Sequence, residues 1–144
     1  MRNIIAALFA AVLITPFAAA GAKAQSGSAK AIIQAQIREA CEPGSGTMKK
    51  GGAIIRDLTG DGKADLLVDP AYITCKGGVS RRSGFCGMQV CSVYIYVNRN
   101  GRLTKSLDTL GGRVTIGKGK RPPISMYAHG GKSRRIRWDG KRFQ

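Results

Sequence analysis

The stretch VCSVYIYVNRNG, Val90–Gly101, decides the fold class of this 144-residue chain. Its side chains alternate between two faces of an extended strand. Cys91, Val93, Ile95 and Val97 lie on one face, and Tyr94 and Tyr96 lie on the other. Asn100-Gly101 is typical of a two-residue hairpin turn, because both central residues of that turn need a positive φ. The stretch therefore predicts a strand over 90–97 that turns back into a second strand over 102–110.

Further short apolar runs, separated by turn residues, lie on both sides of this hairpin. They cover 53–56, 65–68, 113–116, 124–127 and 136–138, and Asp139-Gly140 predicts a last hairpin. Upstream, apolar residues at helical spacing predict an amphipathic helix over about 29–41 that ends before Pro43-Gly44, and 44–52 is expected to be a polar connector. We therefore predict a mainly β fold of the α+β class: a small antiparallel sheet with one N-terminal helix. Tyr94, Tyr96, Tyr127 and Trp138 are expected to be core or sheet-covering residues.

The first 24 residues have the pattern of a secretory signal peptide. A positive start is followed by the apolar run 4–14, and Ala22-Lys23-Ala24 fits cleavage before Gln25. The run is too short for the roughly 20 residues of a spanning helix. We therefore expect a periplasmic or secreted protein whose single mature domain is 25–144, with 53–144 rich in β-structure. Cleavage removes Arg2 and Lys23 and lowers the net charge from +16 to +14.

All four cysteines, Cys41, Cys75, Cys86 and Cys91, lie in the mature part. An even number in a small exported domain indicates two disulfides. Cys86–Cys91 with Cys41–Cys75 is one pairing, and the two crossed pairings stay open.

The stretch 57–65, Asp57-Leu-Thr-Gly-Asp-Gly-Lys-Ala-Asp65, carries the clearest chemical pattern. Oxygen-bearing side chains stand at loop positions 1, 3, 5 and 9, and Gly62 stands at position 6. This spacing predicts a structural Ca²⁺ site, because alternate side chains point inward, a main-chain carbonyl adds an oxygen and glycine permits the sharp turn. The expected ligands are Asp57, Thr59, Asp61, the carbonyl of Lys63, and Asp65. The alternative is a tight turn in which the aspartates cap backbone amides.

This loop resembles the calcium-binding hairpin of FG-GAP repeats, the integrin-type propeller blades. Asp57, Asp61, Gly62, Asp65 and the strand 66–68 match that pattern, and Thr59 replaces its usual Asp or Asn. The whole layout is similar to small exported alphaproteobacterial proteins of unknown function, on 57–65, Phe85-Cys86-Gly87 with Cys91, and 138–143. The first resemblance implies a bound Ca²⁺. The second resemblance gives no information about activity.

The C-terminal part, 113–144, is strongly basic. The expected anion-binding residues are Lys118, Lys120, Arg121, Arg134, Arg135 and Arg137. A positive field of this strength attracts polyanions and weakens with salt. The partner expected after export is an anionic polymer or envelope component, and sequence-specific nucleic-acid binding is disfavoured.

We therefore expect a non-catalytic exported protein that binds an anionic envelope or surface component. One alternative is a protein–protein module of inhibitor or immunity type, in which Arg81-Arg82 within the Cys75–Cys91 segment meets an acidic protein. A weaker alternative is a metal-dependent phosphodiesterase, in which the loop aspartates hold the metal and His129 is the base.

Overall fold

The computed structural model describes residues 28–144, so the predicted signal peptide and the predicted start of the mature chain lie outside the described residues. Helix α1, Ala29–Cys41, has the predicted bounds. The Ser28 hydroxyl caps its start by accepting a hydrogen bond from the Ala31 amide at 3.3 Å. Its buried side chains share one face, as the apolar spacing indicated.

Eight strands follow, and the sheet is antiparallel throughout, which confirms the mainly β fold class. They are β1 Ser45–Met48, β2 Ala53–Arg56, β3 Asp65–Val68, β4 Ile73–Lys76, β5 Cys91–Arg99, β6 Arg102–Ile116, β7 Ile124–Tyr127 and β8 Ser133–Ile136. Six of them form one sheet in the order β2-β3-β5-β6-β7-β8, and β1 pairs with β4 in a separate ribbon. Short 3₁₀ turns, Pro70–Tyr72 and His129–Gly131, lie between strands.

The β5–β6 hairpin is the one that the sequence predicted. Asn100 and Gly101 have φ of 53° and 81°, as the two-residue turn requires. The strands predicted over 102–110 and 113–116 are one 15-residue strand, β6. Its pairing changes from β5 to β7 near Gly111-Gly112, and the register shifts between Gly112 and Thr115. This bend lets the end of β6, with β7 and β8, fold over one face of the sheet.

Both faces of β5 are buried, each by a different layer. Val93, Ile95 and Val97 pack with residues of β7, β8 and the C-terminal turn, among them Trp138 and Phe143. Tyr94 and Tyr96 pack on the opposite face against Ile32 of α1 and residues of β3. The alternation read from Val90–Val97 therefore separates two hydrophobic layers, and Tyr94, Tyr96 and Trp138 are core residues as predicted.

The segment 44–52, predicted as a connector, contains β1, and β4 was not predicted at all. β1 reads Ser-Gly-Thr-Met, which gives no apolar alternation. It forms because β1 and β4 together cover α1, where Ile37, Ala40 and Cys41 pack against Ile73 and Cys75. The strand predicted over 136–138 is shifted to Ser133–Ile136, and beyond it Trp138 pairs with Phe143 across the predicted Asp139-Gly140 turn.

Two disulfides join Cys41 to Cys75 and Cys86 to Cys91, which resolves the open pairings. Disulfides form and persist in oxidising compartments, so the two bonds indicate an extracytoplasmic environment. Within 28–144, α1 is the only α-helix, and no helix there has the length and apolar content needed to cross a membrane.

Candidate functional site

The aspartate loop, residues 57–65, joins β2 to β3 and is organised by carboxylates that accept backbone hydrogen bonds. Asp57 accepts from the amides of Thr59 at 3.1 Å, Gly60 at 2.6 Å and Gly62 at 2.9 Å. Burial raises the pKa of Asp57, but the hydrogen bonds from these amides and from that of Asp61 outweigh burial and hold the pKa below its ordinary value. The ionised carboxylate therefore fixes the shape of the loop.

Asp65 attaches the loop to the sheet on the buried side of the loop. Its side chain is fully buried, and Oδ2 accepts from the amides of Leu58 at 2.9 Å and Thr59 at 3.1 Å. Oδ1 accepts from the Asn98 amide on β5 at 2.9 Å. Asp65 thus joins the loop to the neighbouring strand and is turned toward backbone amides.

The oxygens that remain for a cation are fewer than the spacing predicted. The Asp57 carboxylate is half-buried, and the Asp61 carboxylate is exposed and also accepts from the Lys63 amide at 2.9 Å. The buried Thr59 hydroxyl has no hydrogen-bond partner. Within 28–144 no three His, Cys, Asp or Glu side chains lie close enough to hold a metal ion together. With Asp65 turned inward, the loop supplies two carboxylates and falls short of the all-protein shell of six to eight oxygens that encloses Ca²⁺.

A groove of about 580 Å³ lies beside this loop, at the end of the sheet where several turns meet. It is lined by the loop, the β5–β6 turn, the β6–β7 loop and the C-terminal turn. Four cationic residues line it, Lys63, Arg99, Arg121 and Lys141, whereas Asp61 is the one acid among its lining residues in 28–144. We call it the cationic groove.

Arg121 links the groove to the aspartate loop. Its Nε donates to the carbonyl oxygen of Thr59 at 3.1 Å. A Cβ added at Gly60, which has a φ of 80°, would lie 2.9 Å from the Arg121 Cγ. The basic β6–β7 loop therefore packs directly on the aspartate loop, and the guanidinium is held at the groove by a defined contact.

The six predicted anion-binding residues are only partly brought together. Arg121 lines the groove, whereas the Nη1 of Arg134 donates to the Thr109 hydroxyl on β6 at 2.9 Å. Lys118, Lys120, Arg135 and Arg137 are exposed and do not line the groove. His129 begins a 3₁₀ turn and is likewise not a lining residue, so it is not beside the loop aspartates in the groove.

Three cationic residues of the groove, Lys63, Arg99 and Lys141, are not among the six predicted anion-binding residues. Each flanks a turn: Lys63 follows Gly62, Arg99 precedes Asn100-Gly101, and Lys141 follows Gly140. The turns after β2 and after β5 lie at the same end of the antiparallel sheet, and the C-terminal turn joins them because the bend of β6 folds β7 and β8 back over the sheet. The turn signals were therefore visible in the sequence, but their convergence was not.

Comparison with protein-family models, with curated proteins and with solved structures gives no match to this chain.

Proposed function

We propose that this protein is a non-catalytic exported module that binds an anionic component of the cell envelope or surface. The observation that carries the proposal is the cationic groove, where four chain segments bring Lys63, Arg99, Arg121 and Lys141 around one cavity. Like charges gathered in a concave site raise the local concentration of anions. The predicted signal peptide and the two disulfides support export to the periplasm or the cell surface.

The cations of the groove lack acidic partners in the fold. Within 28–144, the one ion pair is Lys105–Asp108 on β6, at 3.5 Å, outside the groove. The charges of Lys63, Arg99 and Lys141 therefore stay available to a ligand. The Nε of Arg121 donates to the Thr59 carbonyl of the loop, and the remaining N–H donors of Arg121 are free to contact an anion.

Retention on an immobilised sulfated polysaccharide, eluted with a salt gradient, tests the proposal. We expect Lys63→Gln/Arg121→Gln/Lys141→Gln to elute at clearly lower salt than the parent protein. The matched control, Lys30→Gln/Lys76→Gln/Arg102→Gln, removes the same charge from exposed positions outside the groove and should elute close to the parent. Equal shifts for the two triple variants would reduce the effect to net charge and contradict a groove site.

The protein–protein alternative has one specific observation in its favour. Val79 and Met88 are fully exposed apolar side chains, and both lie in the Cys75–Cys91 segment with Arg81. Exposed apolar residues beside a basic pair suit an acidic protein partner. A stoichiometric complex that survives moderate salt and is lost in Val79→Ser/Met88→Ser would favour this function over polymer binding.

We also propose that the aspartate loop binds Ca²⁺, on the strength of its spacing. Asp57 and Asp61 would supply carboxylates, and Lys63 would supply its carbonyl oxygen. The unpartnered Thr59 hydroxyl would be a further oxygen ligand. Asp65 would not contact the ion and would hold the loop in shape through its bonds to backbone amides. Two carboxylates predict weak binding, with a Kd on the order of 1 mM, as in extracellular calcium modules. The ion would stabilise the hairpin.

A further inference from the structure

A second cavity, of about 440 Å³, lies at the opposite end of β5 from the cationic groove. Cys91 at the start of β5 lines this cavity, whereas Val97–Arg99 line the groove, so about 20–26 Å of strand separates the two sites. We call it the tyrosine pocket. Its chemically active lining residues are Lys49, Asp69, Tyr72, Arg82, Arg113 and Tyr127.

Arg113 adopts a backbone conformation that glycine would adopt at lower cost. Its φ is 50°, in the left-handed region, and two glycines directly precede it. Its guanidinium carbon lies 5.7 Å from the centroid of the Tyr127 ring, within the range of a cation–π contact. A strained residue whose side chain faces a cavity points to a function of that side chain.

Tyr127 is held in place by the bend of β6. A Cβ added at Gly112 would lie 2.8 Å from the ring, so Gly112 leaves the space that the ring occupies. Tyr72 lines the same cavity and is 38% exposed. Unlike Tyr94 and Tyr96, these two rings are partly open to solvent, so a ligand in the cavity can contact them.

Asp69 is the one carboxylate among the lining residues in 28–144. It is only 2% exposed, and its Oδ1 accepts from the Ala71 amide at 3.0 Å. Burial raises its pKa above the ordinary value, because the charged form loses hydration in this place. No ion pair joins it to Lys49, Arg82 or Arg113 within the described chain.

We propose that the tyrosine pocket binds an acidic saccharide unit, with its anionic group on Arg82 and Arg113, a ring face on Tyr127, and hydroxyls donating to Asp69. Guanidinium groups pair with carboxylates through two parallel hydrogen bonds, and a carboxylate accepts sugar hydroxyls. A bare anion would be repelled by Asp69 and would leave the tyrosine rings without a partner. A single carboxylate lacks the second one that glycosidic hydrolysis normally uses, so binding without cleavage is expected. This inference rests on the proposed function for the anionic nature of the ligand, and it adds a separate site and a ligand class.

Titration calorimetry with three probes tests the pocket: a trigalacturonate, a neutral galactose trisaccharide and inorganic phosphate. We expect the acidic trisaccharide to bind, and Arg113→Gly or Tyr127→Ala to weaken it by about ten-fold or more. Arg113→Gly should fold at least as well as the parent, because glycine relieves the positive φ, and its thermal unfolding checks this. Arg102→Gln is the charge-matched control, since it removes the same positive charge from an exposed position that lines neither cavity, and it should leave the affinity unchanged.

Four results would overturn the proposal. Equal affinity for the neutral trisaccharide would remove the role of the charge. Phosphate binding with no effect of Tyr127→Ala would reduce the pocket to an anion site. Absence of binding, or a loss of binding in the groove triple variant but not in Arg113→Gly, would remove the pocket as the site. The groove variant tests polymer retention separately, so failure of one site is distinguishable from failure of the other.

Discussion

At the scale of single residues, the acids of this chain bond to backbone amides more than to cations. The chain has 24 Lys and Arg against 8 Asp and Glu, yet the described part contains one ion pair. Asp57, Asp65, Asp69 and Asp139 instead accept hydrogen bonds from amides in turns. Charge-assisted bonds of this kind fix turn geometry, and most cations of residues 28–144 therefore have no acidic partner in the fold.

Asp65 shows how much one such acid contributes to the stability of the fold. Replacing it with alanine leaves the amides of Leu58, Thr59 and Asn98 without their acceptor in a buried place. We expect Asp65→Ala to lower the free energy of unfolding by about 3–5 kcal/mol, measured by urea denaturation of the oxidised protein.

Asp108→Ala is the control for that measurement. Asp108 is 55% exposed and makes only the ion pair with Lys105. Its loss should cost about 0.5 kcal/mol or less, because exposed pairs contribute little. Similar losses for the two variants would contradict a structural role of the Asp65 amide bonds.

At the scale of elements, the Cys41–Cys75 disulfide attaches α1 to the β1–β4 ribbon. It closes a span of 34 residues, whereas Cys86–Cys91 closes only 5. The chain-entropy relation predicts that Cys41→Ala/Cys75→Ala lowers the free energy of unfolding by about 3–4 kcal/mol, against about 2 kcal/mol for Cys86→Ala/Cys91→Ala. Urea denaturation of the two double variants measures both values. A larger loss from the short bond would contradict this order.

Elements that carry their own pattern could be predicted from the sequence, and elements that depend on a neighbour could not. α1 has an amphipathic spacing, and the β5–β6 turn has Asn-Gly, so both were predicted with nearly correct bounds. β1 and β4 exist because a disulfide and the helix hold them together, and four residues of mixed polarity give no sign of that. The spacing of the aspartate loop located a turn that lines the groove. Lys63, Arg99 and Lys141 converge only through strand register, which the sequence alone does not give.

At the scale of the whole molecule, the cationic groove and the tyrosine pocket lie at opposite ends of strand β5. β5 is central in the sheet, and both of its faces are buried. The distance between the groove and the tyrosine pocket is therefore fixed by the fold. A long anionic polymer that contacts both sites would bind more tightly than a short oligomer that occupies one, because the second contact is intramolecular.

If the aspartate loop binds Ca²⁺ as proposed, the ion should raise the stability of the whole molecule. A ligand that binds only the folded state raises the free energy of unfolding by RT ln(1 + [L]/Kd). With a Kd of about 1 mM, about 10 mM Ca²⁺ contributes about 1.4 kcal/mol, which raises the melting temperature by several degrees. Mg²⁺ should have a smaller effect, since it requires nearly ideal octahedral geometry.

Thermal unfolding in Ca²⁺, Mg²⁺ and EDTA measures this, and Asp61→Ala should abolish the rise. Asp139→Ala is the matched control, because Asp139 also accepts amide bonds in an exposed Asp-Gly turn but lies outside the aspartate loop. It should retain the full calcium effect. An equal calcium response in the two variants would show that Ca²⁺ acts on the general charge of the protein. No response in the parent protein would mean that the aspartates, already bonded to amides, shape the turn that holds Arg121 in the groove and bind no ion there.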